Sequence, residues 1–109
     1  MRSRLINWPV SWLVTLGLPF VLSGCISIPA PIEEYALARA AMDGAKSVDA
    51  ARFAPGYYHR ALEAYSKAEV LYEQREYQDA KELFNHSRID FEKAENAAHV
   101  QRKKSGEVL

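Results

Sequence analysis

Tyr77-Gln78-Asp79-Ala80-Lys81-Glu82-Leu83-Phe84-Asn85-His86-Ser87-Arg88-Ile89-Asp90-Phe91-Glu92-Lys93-Ala94-Glu95-Asn96-Ala97-Ala98 decides the fold. Tyr77, Ala80, Phe84, Ser87, Phe91, Ala94 and Ala98 recur at steps alternating three and four, with charged residues between them. That spacing places them on one narrow stripe of a helix, a heptad seam of the coiled-coil type. The helix is predicted to start near Glu76 after the polar Glu73-Gln74-Arg75 turn. Gln101-Arg102-Lys103-Lys104 near its end complements the helix dipole. Residues 105–109 read as a loose tail.

Working backwards, Tyr58, Ala61, Leu62, Tyr65, Ala68, Leu71 and Tyr72 form a second apolar face of about four turns. Pro55 suits the first position of that helix, and it biases Ala54 away from helical geometry. A turn of only a few residues between two such helices makes them antiparallel neighbours. An earlier helix is expected from about Ile32 to Ser47 or slightly beyond. Its stripe holds Tyr35, Ala38, Ala41, Met42, Ala45 and Val48, and Glu33 and Glu34 sit at its positive end. Gly44 lowers helix propensity by roughly 1 kcal/mol against alanine, so fraying is expected there. The fold class is therefore all-α: a short antiparallel helical hairpin with an additional N-terminal helix, a three-helix bundle spanning residues 33–104.

Upstream the chain changes character. Arg2 and Arg4 precede an apolar run from Leu5 to Leu22, and small residues lead to the only cysteine, Cys25. This is the layout of a secretory signal peptide over residues 1–24. A stretch of about 18 apolar residues is near the lower limit for spanning a bilayer, and Pro9, Gly17 and Pro19 weaken it as a spanning helix. Leu22-Ser23-Gly24-Cys25 resembles the lipobox of bacterial lipoproteins. That resemblance implies cleavage between Gly24 and Cys25, a diacylglyceryl group on the Cys25 thiol and an acyl group on its new amino terminus. No other cofactor is expected. Two or more acyl chains anchor stably, because each buried methylene contributes about 0.8 kcal/mol and one chain alone is marginal. Residues 25–32 then form a short tether, in which Pro29 and Pro31 favour extended backbone with a reach of about 20 to 25 Å. Isoleucine at position 26 implies, by resemblance to enteric lipoproteins, sorting to the outer membrane with the domain facing the periplasm.

Roughly 85 residues remain from Cys25 onward, one small domain near the size at which a single core is marginally stable. The chain has 14 basic and 14 acidic residues, and loss of Arg2 and Arg4 would leave a net charge of about minus two. No global basic field recruits nucleic acid. With Cys25 lipidated there is no thiol left for a disulfide or a nucleophile.

Two resemblances follow from the helical region. The alanine-spaced first helix, the aromatic-Ala-Pro step Phe53-Ala54-Pro55, the small residues Ala61, Ala64 and Ala68, and the Tyr-x-x-Ala turn at Tyr77 and Ala80 resemble the small alanine-rich lipoproteins grouped as domain of unknown function 4398. Gly56-Tyr57-Tyr58 stands where that family often carries an acidic residue after the proline. The resemblance implies an envelope setting, with OmpA-like or peptidoglycan-associated proteins as partners. Ala68, Leu71, Tyr77, Ala80, Phe84 and Ser87 are also similar to a single tetratricopeptide-like helix pair, but no second copy follows. One such repeat cannot bury its face, so the likeness is one of hairpin packing.

The pattern holds no catalytic constellation. His86 and Asp90 share a helix face and could begin a metal site, but a site needs further ligands; His99, thirteen residues after His86, does not converge on it, and His59 has no convincing partner. Ser66 and Ser87 lie within helices, without a strained elbow or an oxyanion loop. The glutamates alternate with Lys and Arg, as on a solvated helix surface. Tyrosines are the remaining candidates, for core packing or for contact: Tyr57 and Tyr58, beside Gly56 at a helix start, suggest an exposed aromatic patch. Tyr57, Tyr58 and Lys93 are thus the candidate interaction positions. The expected function is a membrane-anchored lipoprotein acting as a non-enzymatic docking or scaffolding module in the cell envelope. The alternatives are a structural lipoprotein that self-associates as a homo-oligomer through the Tyr77 to Ala98 seam and, more distantly, a small metal-binding protein.

Overall fold

The computed structural model describes residues 24–106. The 1–23 stretch, with Leu22 and Ser23 of the cleavage motif, and residues 107–109 lie outside the described residues. Within them the chain is helical: α1 (Ile32–Ser47), α2 (Ala50–Phe53), α3 (Pro55–Glu73) and α4 (Tyr77–Ser105).

α3 and α4 form the antiparallel hairpin. Their turn closes through Glu76 N–H to Leu71 O (2.9 Å) and Arg75 N–H to Tyr72 O (3.1 Å), with Arg75 left-handed at φ 63°. This pair of bonds is the Schellman arrangement that satisfies the last carbonyls of a helix, here with arginine where glycine is usual. Along the hairpin every predicted seam residue of α4 from Ala80 to Ala98 is fully buried, and Tyr77 at its start is half-buried.

α1 lies along α4 and runs in the same direction. Lys81 Nζ is 3.1 Å from Glu34 Oε1 near their starts, and Arg102 Nη1 donates to Val48 O at 3.2 Å near their ends. The Glu34 carboxyl is held below its usual range, first by a backbone amide at the helix start and then by Lys81. Between these contacts Gly44 faces Glu95. α1 does not fray at this glycine; it remains regular to Ser47 because the glycine sits against α4. A methyl group at position 44 would stand 2.9 Å from Glu95 Oε2, the mobile end of a long side chain. Gly44→Ala is therefore expected to stabilise by about 0.5 to 1 kcal/mol, the helix-propensity gain after Glu95 shifts. A lowered thermal midpoint would contradict this packing.

The single turn α2 was not expected from periodicity. Asp49 adopts φ 59°, a left-handed conformation that aspartate tolerates better than most residues, and it redirects the chain between α1 and α3. Its carbonyl accepts from Arg52 N–H (3.0 Å) and Phe53 N–H (3.2 Å). Ala50 is fully buried beneath the turn. At the other end of the bundle α4 runs on to Ser105 and stops at Gly106, which takes φ 78°, so Ser105 belongs to the helix and not to a tail.

The core changes along the bundle. Phe84 meets Tyr35, Tyr65 and Tyr72 with ring centroids 5.2, 5.7 and 6.4 Å apart. Burial first, and then a hydrogen bond with the Tyr35 hydroxyl, push the Tyr65 hydroxyl above its ordinary pKa, so it stays protonated. Towards the α2 end alanines dominate, with Ala45, Ala50, Ala94 and Ala98 fully buried. Between the two regions Ser87 Oγ donates to Ala61 O at 3.0 Å. That carbonyl keeps its place in the α3 ladder, and alanine is the better helix former. Ser87→Ala is expected to change stability by less than about 1 kcal/mol. Ser87→Leu would wedge the two helices apart, with an expected cost of about 1 to 3 kcal/mol. Urea unfolding of both variants checks the pair, and equal effects would refute the close approach at this position.

Candidate docking face

Tyr57, Arg60, Ala64, Lys67 and Leu71 follow one another on α3 at steps of three and four, so they form one row. On α4 the facing row holds Leu83, Asp90, Ala97 and Gln101. α1 takes the opposite side of α4, where Lys81, Glu95 and Arg102 meet it. The α3–α4 groove on the side of Tyr57 therefore has no third helix over it among the described residues.

Tyr57 is 39% exposed, and the Arg60 guanidinium lies 4.9 Å from its ring centroid. Arg60 Nε is 3.7 Å from Asp90 Oδ2, and Lys93 Nζ is 3.8 Å from Asp90 Oδ1. Four side chains from two helices thus make one connected surface. Such exposed pairs, at 3.7 and 3.8 Å and beyond hydrogen-bond distance, add little stability, about 0 to 1 kcal/mol each, and leave both cations able to re-pair with the charges of a partner. Two concavities flank the array. One, of about 290 Å³, is lined by Phe53, Ala54, Pro55, Gly56, Tyr57, Arg60, Ala97 and Gln101. The other, of about 400 Å³ with apolar walls, is lined by Ser66, Lys67, Val70, Leu71 and Leu83.

Of the candidate positions, the structure brings Tyr57 and Lys93 together through Arg60 and Asp90. Tyr58 departs from expectation. It is 8% exposed and packs edge-on against Phe91, with centroids 5.7 Å apart, so it belongs to the core and not to a surface patch. Its spacing to Ala61 and Tyr65 decides this, since adjacent side chains on a helix cannot share a face. Arg60 was missed by sequence reasoning, although its place three residues after Tyr57 was the available signal. Asp90 serves Arg60 and Lys93, with His86 exposed one turn before it. Among the described residues no group of three His, Cys, Asp or Glu is placed to hold a metal ion.

Cys25 is exposed and unpaired in disulfide terms, and residues 24–31 carry no helix. Ile26, Ser27 and Ile28 pass the α3–α4 turn, lining a concavity with Arg75, Glu76 and Tyr77. Cys25 therefore enters at the turn end, opposite α2. Among the described residues no helix is long and apolar enough to cross a membrane.

Residues 33–107 match the domain of unknown function DUF4398, well over half of the chain. The chain belongs to the DUF4398 family. Neither a curated protein nor a solved structure matches it. In this DUF4398 domain the Phe53-Ala54-Pro55 step is the corner from α2 into α3: Phe53 ends α2, Ala54 turns at φ −140°, and Pro55 opens α3. The guanidinium groups of Arg52 and Arg102 lie 4.9 and 5.5 Å from the Phe53 ring centroid. The step thus closes the end of the bundle farthest from Cys25, and one wall of the Tyr57 concavity is built from it.

Proposed function

We propose that this chain is a membrane-anchored lipoprotein whose helical domain is a non-enzymatic docking or scaffolding module of the bacterial cell envelope. The observation that carries the reading is the uncovered α3–α4 face, on which Tyr57, Arg60, Asp90 and Lys93 form one connected array. Aromatic and arginine side chains are enriched at interface centres, where they supply large contact area and several hydrogen-bond donors. The exposed Cys25, on a short unstructured entry to the opposite end from α2, supports anchoring at residue 25 with the α2 end directed away from the lipid. Outer-membrane placement facing the periplasm, and an OmpA-like or peptidoglycan-associated partner, belong to the same proposal.

Self-association through the Tyr77 to Ala98 seam would require the bundle to open, because its residues from Ala80 to Ala98 pack inside the single chain against α1 and α3. A homo-oligomer would have to use the uncovered face instead. Affinity purification of the full-length lipidated protein tests the assignment. Arg60→Glu with Lys93→Glu is expected to lose a stoichiometric envelope partner that the wild type retains, while helicity is unchanged. Identical partners in both would refute the face, and a dimer of the wild type in sedimentation with no other protein bound would replace docking by self-association.

A further inference from the structure

Three isoleucines close behind Cys25 are left uncovered: Ile26 is 95%, Ile28 50% and Ile32 67% exposed. Apolar residues scattered singly over a surface are ordinary, but these three share one short segment and one end of the bundle. Pro31 between them is buried, which pins the segment to the domain, and Ile32 N–H donates to Ala30 O at 2.9 Å where α1 begins. An extended chain from Cys25 to Ile32 would hold the bundle about 20 to 25 Å from the anchor point. The segment does not run that way. Ile26, Ser27 and Ile28 line a concavity of about 560 Å³ together with Arg75, Glu76, Tyr77 and Gln78, so Cys25 stands one residue from a stretch that lies beside the α3–α4 turn.

We infer that Ile26, Ile28, Ile32 and the α3–α4 turn form a contact surface for the lipid bilayer, with the isoleucines at the boundary between headgroups and acyl chains. This contact rests on the lipid anchor of the proposed function, which supplies the acyl chains on Cys25. The chain itself fixes the occupant, because the residue that would carry those chains opens the segment, and a protein seated here would have to displace lipid. Burial of apolar side chains drives the contact. Charge does not, since Glu33, Glu34, Glu73 and Glu76 outnumber Arg75 and Lys81 at this end and would not attract anionic headgroups. The tether is then part of the membrane contact and not a spacer. From Tyr57 to Glu73 α3 rises about 24 Å, so the bundle, seated on its turn, sets how far the docking face stands from the lipid.

Both tryptophans of the chain, Trp8 and Trp12, precede Cys25, so a protein processed at that residue carries none of its own. Ile32→Trp and Gln74→Trp therefore place single reporters at the start of α1 and in the turn, and Val100→Trp, exposed on α4 towards α2, is the control. Each protein is expressed from its full sequence, purified from membranes and reconstituted in phosphatidylcholine vesicles with brominated acyl chains. Quenching of Ile32→Trp is expected to exceed that of Val100→Trp at least about threefold, with Gln74→Trp between them, because interfacial side chains sit within about 5 to 10 Å of the acyl boundary. Molar salt is expected to leave this order unchanged. Ile26→Ser with Ile28→Ser, changes outside the core, are expected to lower the quenching of both turn-end reporters at least about twofold. In a protein that floats with the vesicles, quenching at position 32 no greater than at position 100, loss of it in salt, or indifference to the two serines would overturn the contact and leave the anchor standing. A wild type that does not float would overturn the anchor, and the contact with it.

Discussion

Phe84→Ala is expected to cost about 3 to 5 kcal/mol, enough to leave much of the domain unfolded at 25 °C. Phe84 has no exposed surface, and its ring is the one that Tyr35 of α1 and Tyr65 and Tyr72 of α3 all contact. Removing it takes away the burial of a large ring and opens a cavity where three helices meet, with stiff tyrosines that cannot collapse into the space. A domain of some 80 residues has a total stability of about 4 to 12 kcal/mol. The alanine-rich α2 end contributes little apolar area per residue, so it cannot compensate. Urea unfolding followed by helical circular dichroism measures the effect. A loss below about 1.5 kcal/mol would mean that α1 is not docked on the hairpin through this cluster. Phe91→Ala, which among the described residues has Tyr58 as its one aromatic neighbour, is the comparison, with a smaller expected loss.

Cys25→Ser is expected to abolish lipid modification completely and with it stable membrane retention of the mature chain. Intact-mass analysis of the wild type is expected to find a chain beginning at residue 25 with the added mass of a diacylglyceryl and an acyl group. The variant, lacking the thiol to be alkylated, accumulates with residues 1–24 attached and without that mass. One acyl chain binds marginally and two or more bind stably, so partition into a detergent phase separates the states. An unmodified Cys25 in the wild type, or cleavage elsewhere, would contradict the anchor. The helical domain should unfold identically in both proteins, because Cys25 lies outside the core.

How far the sequence carried the reading depends on what each feature encodes. The alternating steps from Tyr77 to Ala98 report a single helix face directly, and the buried set of α4 follows them. Pro55 marked the start of α3 for a backbone reason that operates in any context. α2 was invisible because four residues have no period, and the turn depends on Asp49 entering the left-handed region. The parallel course of α1 along α4 rests on contacts such as Glu34 with Lys81 and Gly44 with Glu95, which local pattern does not contain. At the candidate face, Tyr57 and Lys93 were singled out separately. What joins them is the Arg60–Asp90 pair, thirty residues apart, which exists only once the hairpin closes. Tyr58 shows the converse. Its place on the Ala61 and Tyr65 stripe already indicated the core, and its neighbour Tyr57 drew it wrongly towards the surface. The cluster of Tyr35, Tyr72 and Phe84 needs three helices at once, so no single stretch of chain could announce it.

In-cell photo-cross-linking from Tyr57 and from Lys93 of the protein expressed from its full sequence, with mass spectrometry of the adducts, tests the docking account most directly. The account predicts one heterologous envelope protein captured from both positions, and no such adduct from Leu37, which is exposed on α1. Adducts to the chain itself alone, or the same products from Leu37 as from Tyr57, would contradict it.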